Sequence, residues 1–360
     1  MSEFKPGLEG VVAFETEIAE PDRDGGALRY RGVDIEELVG VVPFEKVWGL
    51  LVDGKPEPGL VAADPYHPQG LTGHAPADLQ AVTARLGAEW GLGQLIDIGD
   101  EQAEDDLRRL SATMISIVAQ SARVADGELT PVDPALVRSG ATAADRFLLE
   151  WRGDADPKHV QAIDTYWICT AEHGLNASTF TARVVASTGA DCAASLSSAV
   201  GALSGPLHGG APARVLPMLD GAAAAASVEG YVTDLLDSGG RLMGFGHRVY
   251  RAEDPRARLL RGTARELGSP RFAVAEELEQ VALAELHRRK PDRVLATNVE
   301  FWSAVVLDVA EIPPTLAPAM FACSRTAGWS AHILEQKRLE RLVRPSARYV
   351  GPGARPLPRG

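Results

Sequence analysis

Three histidines and one carboxylate stand in settings that acid–base chemistry commonly uses. His173 precedes a glycine, His208 lies in the run Gly-Pro-Leu-His-Gly-Gly, and His247 follows Gly-Phe-Gly. Glu300 is flanked by bulky apolar residues. A histidine titrates near neutrality, and a carboxylate in an apolar setting gains basicity, so both residue types serve as general acids and bases. The combination favours an enzyme over a binding or structural protein.

A group of basic residues surrounds the third of these histidines. Residues 241–265 contain seven arginines and two acids, a local net charge of +5 in a chain of net charge −13. A basic segment in an acidic protein is typical of a site for an anionic small molecule. The alternative is a helix surface whose arginines are merely solvated.

Other kinds of chemistry lack their sequence patterns. Among the histidines no zinc-type i, i+4 pair occurs, and His67 and His74, seven residues apart in a loop, are more typical of polar loop residues. The chain has no Gly-x-Ser-x-Gly elbow, no Gly-x-x-x-x-Gly-Lys-Ser/Thr loop and no Gly-x-Gly-x-x-Gly motif. We therefore expect no metal site, no serine nucleophile and no nicotinamide fold.

Composition indicates a soluble globular protein. The 360 residues are 45% hydrophobic and 24% charged, enough for a large core and two domains. No apolar run reaches the roughly 20 residues of a membrane span, and the acidic balance argues against nucleic-acid or membrane partners. The three cysteines, Cys169, Cys192 and Cys323, are scattered, which favours a reducing compartment. We expect a cytoplasmic protein.

Hydrophobic periodicity predicts a mainly α fold with minimal β structure. A small N-terminal hairpin is expected, with extended pieces at 11–14 and 27–31 and a turn at 22–26. Apolar residues at three- and four-residue spacing then predict about twelve or more helices. The main helical segments are 44–52, 78–90, 101–125, 134–151, 156–189, 191–203, 222–237, 254–267, 273–289 and 316–339.

The motifs together resemble the citrate synthase family, in its short bacterial, type I-like form. The matching pieces span nearly the whole chain. They are Glu-His-Gly-Leu-Asn-Ala-Ser-Thr-Phe-Thr-Ala-Arg (172–183), Gly-Pro-Leu-His-Gly-Gly (205–210), Gly-Phe-Gly-His-Arg-Val-Tyr (244–250), Asp-Pro-Arg (254–256), Asn-Val-Glu-Phe-Trp (298–302) and Ser-Arg-Thr-Ala-Gly-Trp-Ser-Ala-His-Ile-Leu-Glu-Gln (324–336), with further matches at 28–38 and 344–352.

The resemblance implies a fold and an assembly. A large helical domain would comprise residues 1–208 and 313–360, and a smaller helical domain, 209–312, would close over the active site. The implied assembly is a homodimer in which Arg344 enters the partner's site. No cofactor is implied, because acetyl-CoA is a substrate.

The resemblance also implies a reaction and its residues. The family condenses acetyl-CoA with oxaloacetate through an enol and then hydrolyses the citryl thioester. The implied catalytic residues are His208, which would hydrogen-bond the thioester oxygen, His247, which would polarise the ketone, and the base Glu300. The implied oxaloacetate-binding residues are His173, Arg256, Arg325 and Arg344, and the implied CoA-binding residues are Leu242, Gly244, Phe245, Gly246, Arg251 and Asn298.

Two departures keep alternatives open. The family's base is normally Asp, whereas this chain has Glu300, and residues 211–214 read Ala-Pro-Ala-Arg where the usual motif continues Ala-Asn-Glu. One alternative is 2-methylcitrate synthase, which uses propionyl-CoA with the same acid–base residues. Another is a non-catalytic relative that only binds CoA or oligomerises.

Overall fold

The protein folds into a mainly α structure with one small sheet, which confirms the expected fold class. The computed structural model describes residues 4–22, 24, 26–128, 130–209, 212–246, 253–293 and 295–356. The helices in this part are α1 Phe44–Asp53, α2 Ala75–Glu89, α3 Asp100–Ala125, α4 Pro134–Arg138, α5 Ala143–Arg152, α6 Pro157–Thr170, α7 Ala177–Ala186, α8 Cys192–Leu203, α9 Pro212–Ala224, α10 Val228–Asp237, α11 Pro255–Glu266, α12 Phe272–Arg289, α13 Val299–Val309 and α14 Ala317–Leu339.

The sheet lies near the N-terminus and has three antiparallel strands, β1 Ala19–Asp22, β2 Ala27–Tyr30 and β3 Val33–Asp34. The strand predicted at 27–31 is confirmed. The extended piece predicted at 11–14 forms no strand. Strand β2 instead pairs with β1, which begins at Ala19 and lies much closer to it in sequence. Short two- to four-residue strands carry little apolar pattern of their own.

Several predicted helical segments are divided. The segment 134–151 forms α4 and α5, because Thr142 and Asp145 make a reciprocal capping box that begins a new helix. The segment 156–189 is interrupted at 171–176, between α6 and α7.

The prediction missed most of helix α9 and all of helix α13. Helix α9 begins at Pro212, ten residues before the predicted start, and Ser227 caps α10 as a separate helix. Helix α13 was not predicted, because its eleven residues are apolar on most sides and show no stripe.

Helix α14 lies at the centre of the molecule. It packs against α1, α3, α6, α7 and α8 and is buried on almost every side, as its lack of an apolar stripe requires. Trp329 on α14 is fully buried, as are Trp48, Trp167 and Trp302 on other helices. This rigid centre positions the polar side chains of α14 described below.

Three features bear on the wider predictions. The cysteines are all buried and unbridged, as expected. His74 accepts a hydrogen bond at Nδ1 from the amide of Ala77 and caps α2, a local structural role. Over the described ranges, no helix is long and apolar enough to cross a membrane.

Candidate active site

His208 lies in the turn between α8 and α9 and is held from α7. Its Nε2 lies 2.8 Å from the hydroxyl of Ser178, and the amide of Ser178 donates to the same nitrogen at 3.4 Å. Trp329 on α14 donates its indole N–H to that hydroxyl at 3.1 Å. The ring of His208 also packs edge-on against Phe321, with centroids 6.2 Å apart.

Burial sets the charge state of His208, and the contact with Ser178 favours one tautomer. A backbone amide can only donate, which favours an accepting Nε2 and a ring proton on Nδ1. Burial, reinforced by the nearby charge of Arg325, lowers the pKa of His208 to about 4. The imidazole is therefore neutral at physiological pH, with one N–H available to a ligand.

Glu300 lies in the first turn of α13. Asn298 caps this helix, because its side-chain oxygen accepts a hydrogen bond from the amide of Glu300 at 3.0 Å. Burial raises the pKa of Glu300 to about 7, an effect that the charge of Arg256 opposes and that of Asp254 reinforces. A carboxylate with this pKa is a much stronger base than a solvated one.

Arg256 and Asp254 form a buried pair at the start of α11. The guanidinium donates to both oxygens of Asp254, at 2.9 Å from Nε and 2.8 Å from Nη2, and the side chains are 3% and 1% exposed. Asp254 also caps α11 by accepting from the amide of Arg256 at 3.0 Å. The arginine is thus fixed in orientation before any ligand binds.

Arg325 projects from α14 and is 2% exposed. Its Nε donates to the carbonyl of Thr170 at 2.8 Å, and its guanidinium lies over the ring of Phe321, 4.7 Å from the centroid. Among the described residues, its two terminal nitrogens have no hydrogen-bond partner. This is the state expected of a fork that receives a ligand carboxylate.

The predicted CoA-binding turn is bonded directly to the segment that precedes Glu300. The amide of Gly246 donates to the carbonyl of Ala296 at 2.8 Å, and the amide of Asn298 donates to the carbonyl of Gly244 at 2.9 Å. The side chain of Asn298 also donates to the carbonyl of Gly246 at 3.0 Å. Asn298 therefore joins this turn to helix α13.

Glycine is required within this turn. Gly244 has φ of +85°, and a Cβ there would lie 2.6 Å from Cβ of Phe301. Phe245 packs against Phe301 with ring centroids 5.3 Å apart, and Leu242 is half-buried. The close approach to α13 explains why the motif alternates glycine and phenylalanine.

The remaining predicted residues are placed as follows. His173 is half-buried in the break between α6 and α7, next to the elements that carry His208 and Arg325. Arg344 is exposed in the extended C-terminal segment and lines a pocket together with Phe14 and Gln336. His247 and Arg251 lie outside the described residues.

Electrostatic effects show which residues lie together. The charge of Arg325 acts on His208, and the charge of Arg256 acts on both Glu300 and Arg325. His208, Glu300, Arg256 and Arg325 therefore form one electrostatically coupled cluster, in which the two arginines are buried and the other two residues are half-buried. Three other arginines of the basic segment do not join it. Arg258 and Arg261 form ion pairs with Glu253, which precedes α11, and Arg265 forms one with Glu276 on α12.

Sequence reasoning assigned no role to Ser178, Trp329 and Asp254, which hold the predicted residues. Asp254 could have been found, because Asp before Pro is a strong signal for a helix N-cap. Ser178 and Trp329 could not, because their contacts join α7, α14 and the turn at His208 across large sequence separations.

The cluster combines a neutral N–H donor, a base of raised pKa and two fixed arginines, which suits proton removal beside a carbonyl in the presence of a carboxylate ligand. Comparison with known families identifies the chain. Residues 7–346 match the model of the citrate synthase C-terminal domain. The chain belongs to the citrate synthase family. It is accordingly an acyltransferase.

Relatives of this citrate synthase family member cover almost its full length. A Mycobacterium bovis protein named "Putative citrate synthase 2" is 60% identical over 354 residues, covering 98% of this chain and 94% of the relative. Citrate synthase 2 of Bacillus subtilis is 35% identical over 369 residues, covering 96% and 95% of the two chains.

Solved structures of the family share the fold. Citrate synthase of Thermoplasma acidophilum, solved as a ternary complex with carboxymethyl coenzyme A and oxaloacetate, matches with a TM-score of 0.87 at 27% identity, covering 99% of this chain and 98% of that one. The Pyrobaculum aerophilum enzyme matches with a TM-score of 0.83 at 34% identity, covering 98% and 94% of the two chains.

Proposed function

We propose that this protein is a citrate synthase, which condenses acetyl-CoA with oxaloacetate and hydrolyses the resulting thioester to citrate and CoA. The observation that carries the proposal is the pairing of a neutral His208 with a Glu300 whose pKa is raised to about 7, in one cluster with Arg256 and Arg325. The Thermoplasma acidophilum relative, solved with a CoA analogue and oxaloacetate, supports the choice of substrates.

The first step would be removal of a methyl proton from acetyl-CoA. A methyl group beside a thioester is a very weak acid, so its deprotonation needs both a good base and a partner for the developing oxyanion. Glu300 would take the proton, and its raised pKa favours that transfer. His208 would donate its Nδ1–H to the thioester oxygen, and a neutral imidazole suits an enol better than an imidazolium does.

The second step would be attack of the enol carbon on the ketone of oxaloacetate. Arg256 and Arg325 would bind the two carboxylates, with His173 beside them. His247 would polarise the ketone and protonate the new alkoxide. His247 lies outside the described residues, so its role rests on the sequence motif alone.

The turn at 242–246 would hold CoA beside the base. Its glycines leave backbone groups open to a close ligand, and Asn298 links the turn to the helix of Glu300. In the proposed organisation, Arg251 would meet the phosphates of CoA. The smaller domain, residues 209–312, would close over the larger one, 1–208 with 313–360, and exclude water from the enol step.

We further propose that the active protein is a cytoplasmic homodimer. Arg344 lies on an exposed, extended segment near the C-terminus, where a partner subunit could reach it. No cofactor and no metal ion takes part in the proposed reaction.

The glutamate at position 300 is compatible with this chemistry. One extra methylene moves the carboxylate by about 1.5 Å relative to aspartate. The cap by Asn298 and the hydrogen bonds to the turn fix the helix that carries Glu300. The position of the carboxylate therefore depends on the backbone as well as on the length of the side chain. The second departure, at 211–214, falls mostly on residues whose side chains are outside the description.

Steady-state assays with two thioesters test the proposal. We expect release of free CoA from acetyl-CoA only in the presence of oxaloacetate. A tenfold or greater preference for propionyl-CoA would instead identify a 2-methylcitrate synthase. A folded protein that releases no CoA from either thioester would identify a non-catalytic relative.

A further inference from the structure

A buried carboxylate that the proposed mechanism does not use lies beside the oxaloacetate site. Glu172 directly precedes His173, is fully buried, and neither of its oxygens has a hydrogen-bond partner among the described residues. The structure makes room for it, because a Cβ at Gly328 on α14 would lie 1.9 Å from one of those oxygens. Any side chain at position 328 would expel the carboxylate.

His332 on α14 faces this carboxylate in a defined tautomer. Its Nδ1 lies 2.9 Å from a terminal nitrogen of Arg183, and its Nε2 lies 3.4 Å from the nearer oxygen of Glu172. Arginine can only donate, so Nδ1 must accept and the ring proton is on Nε2. The N–H therefore points toward Glu172, as an electrostatic contact rather than a well-formed hydrogen bond.

Arg183 is itself fixed. It is fully buried, donates to the side chains of Gln336 and Glu335, and lies over the ring of Phe14, 4.1 Å from the centroid. The tautomer of His332 is thus set by contacts away from the active site. The Nε2–H of His332, which carries a partial positive charge, therefore faces Glu172.

On its other side, Glu172 lies about one helical turn from Arg325, because its carboxylate occupies the space beside Gly328, three residues further along α14. Burial lowers the pKa of Arg325, Glu172 is the strongest charge that raises it, and Arg256 lowers it. Glu172 thus offsets part of the positive charge of an arginine pair. A buried carboxylate without hydrogen bonds is costly for stability, so its presence calls for a reason other than stability.

We propose that Glu172 is the fixed counter-charge of the oxaloacetate site, which acts through Arg325 and limits how tightly the site holds polyanions. This inference rests on the proposed function. Oxaloacetate carries two negative charges and citrate three, so repulsion by Glu172 weighs more heavily on the product. Glu172 would thereby favour release of citrate after each turnover. It is a positioning residue and touches no reacting atom.

The test is the affinity of Glu172→Gln for oxaloacetate and citrate, measured by titration calorimetry at one ionic strength. We expect oxaloacetate to bind about threefold to tenfold more tightly than to the wild type, and citrate to gain by a larger factor. We also expect kcat to fall, because product release slows. A residue with only a structural role would weaken both ligands or leave both unchanged.

Two matched variants complete the design. Glu172→Asp retains the charge, and Glu150→Gln removes another buried carboxylate, on α5, which is hydrogen-bonded to Ser116 and Gln120. Both should keep wild-type affinities within about twofold. An unchanged or lower affinity of Glu172→Gln, or an equal gain for the two ligands, would overturn the inference.

A second route covers the case in which Glu172→Gln does not fold. His332→Asn keeps an acceptor for Arg183 but withdraws the N–H that faces Glu172, so the carboxylate loses the contact that holds it in place. We expect citrate to gain more affinity than oxaloacetate does, as in Glu172→Gln but by a smaller factor. If neither ligand gains affinity, or both gain equally, the result would count against the inference. A wild-type protein that binds neither ligand would refute the proposed function, whereas wild-type binding without tightening in the variant would refute only the counter-charge.

Discussion

The side chain of Asp254 accepts a hydrogen bond from the backbone amide of Val299 at 3.1 Å. The same carboxylate holds the guanidinium of Arg256 in a two-point ion pair. One buried group therefore fixes both a predicted oxaloacetate-binding residue and the start of the helix that carries Glu300. The relative position of the two substrates would depend on this single side chain.

Asp254→Asn should disturb both functions together. Breaking a buried ion pair by removing one partner typically costs about 3 to 5 kcal/mol of stability. We expect a higher KM for oxaloacetate and a lower kcat, measured by steady-state kinetics alongside urea unfolding. Asp64→Asn is the control, since its pair with Arg138 is exposed and should contribute less than about 1 kcal/mol. Equal behaviour of the two variants would contradict the role of Asp254.

Glu150 should make stability depend on pH in an unusual direction. Burial raises its pKa from 4.5 to about 7, so the folded state holds the proton more tightly than the unfolded state does. Its contribution is favourable below about pH 4.5 and is lost as pH rises through about 7.

Glu150→Gln should remove that dependence. Relative to the wild type, the variant should gain about 2 to 3 kcal/mol of unfolding free energy between pH 5 and pH 8, as measured by urea denaturation at both values. A difference between variant and wild type that is the same at both pH values would show that Glu150 does not titrate in this way.

Gly244→Ala should impair the proposed CoA turn specifically. The new Cβ would meet Phe301 at 2.6 Å in addition to the cost of φ at +85°. Gly268→Ala is a matched control, because its φ is +70° but nothing lies within 4 Å of the added atom. Gly268→Ala should lose about 1 kcal/mol of stability with unchanged KM for acetyl-CoA. Gly244→Ala should lose more and raise that KM, and an unchanged KM would remove the turn from CoA binding.

Subunit mixing tests whether Arg344 serves the partner's site. Arg344→Leu and Glu300→Gln should each be nearly inactive alone. If Arg344 acts in trans, a mixed dimer contains one site with both native residues. A random equal mixture should then recover up to about a quarter of wild-type activity, because half of the dimers are mixed and each has one intact site. No recovery after verified subunit exchange would place Arg344 in its own chain's site or outside the mechanism.

How much the sequence could predict differs between the helices and the site. Helices with an apolar stripe and a clear stop signal, such as α1 before Gly54, were predicted to within a residue or two. Helix α13 was missed, because burial on most sides removes the periodic signal. Short strands such as β1 have too few residues to show an apolar pattern, and their formation depends on pairing with a neighbouring strand.

The candidate site shows the same division. His173 and His208 were singled out by their glycine neighbours, and Arg256 and Arg325 were predicted from the family resemblance. The contacts that hold these side chains were not predicted, since they join distant segments. The N–H of Ser178 contacts Nε2 of His208, and Arg183 selects the tautomer of His332. Neither pairing leaves a trace in local spacing.

The central claim is that Glu300 is a general base whose pKa lies near 7, and the pH profile of kcat/KM tests it most directly. Release of free CoA from acetyl-CoA with oxaloacetate should be followed from pH 5 to 9 for the wild type and Glu300→Gln. Because the base must be ionised, the wild-type value should rise about tenfold per pH unit below 7 and level off above it. Above pH 7, Glu300→Gln should be slower by about 10² to 10⁴-fold, and its profile should lack the bend near 7. A wild-type profile that is already level at pH 5, or a variant as active as the wild type above pH 7, would contradict the account.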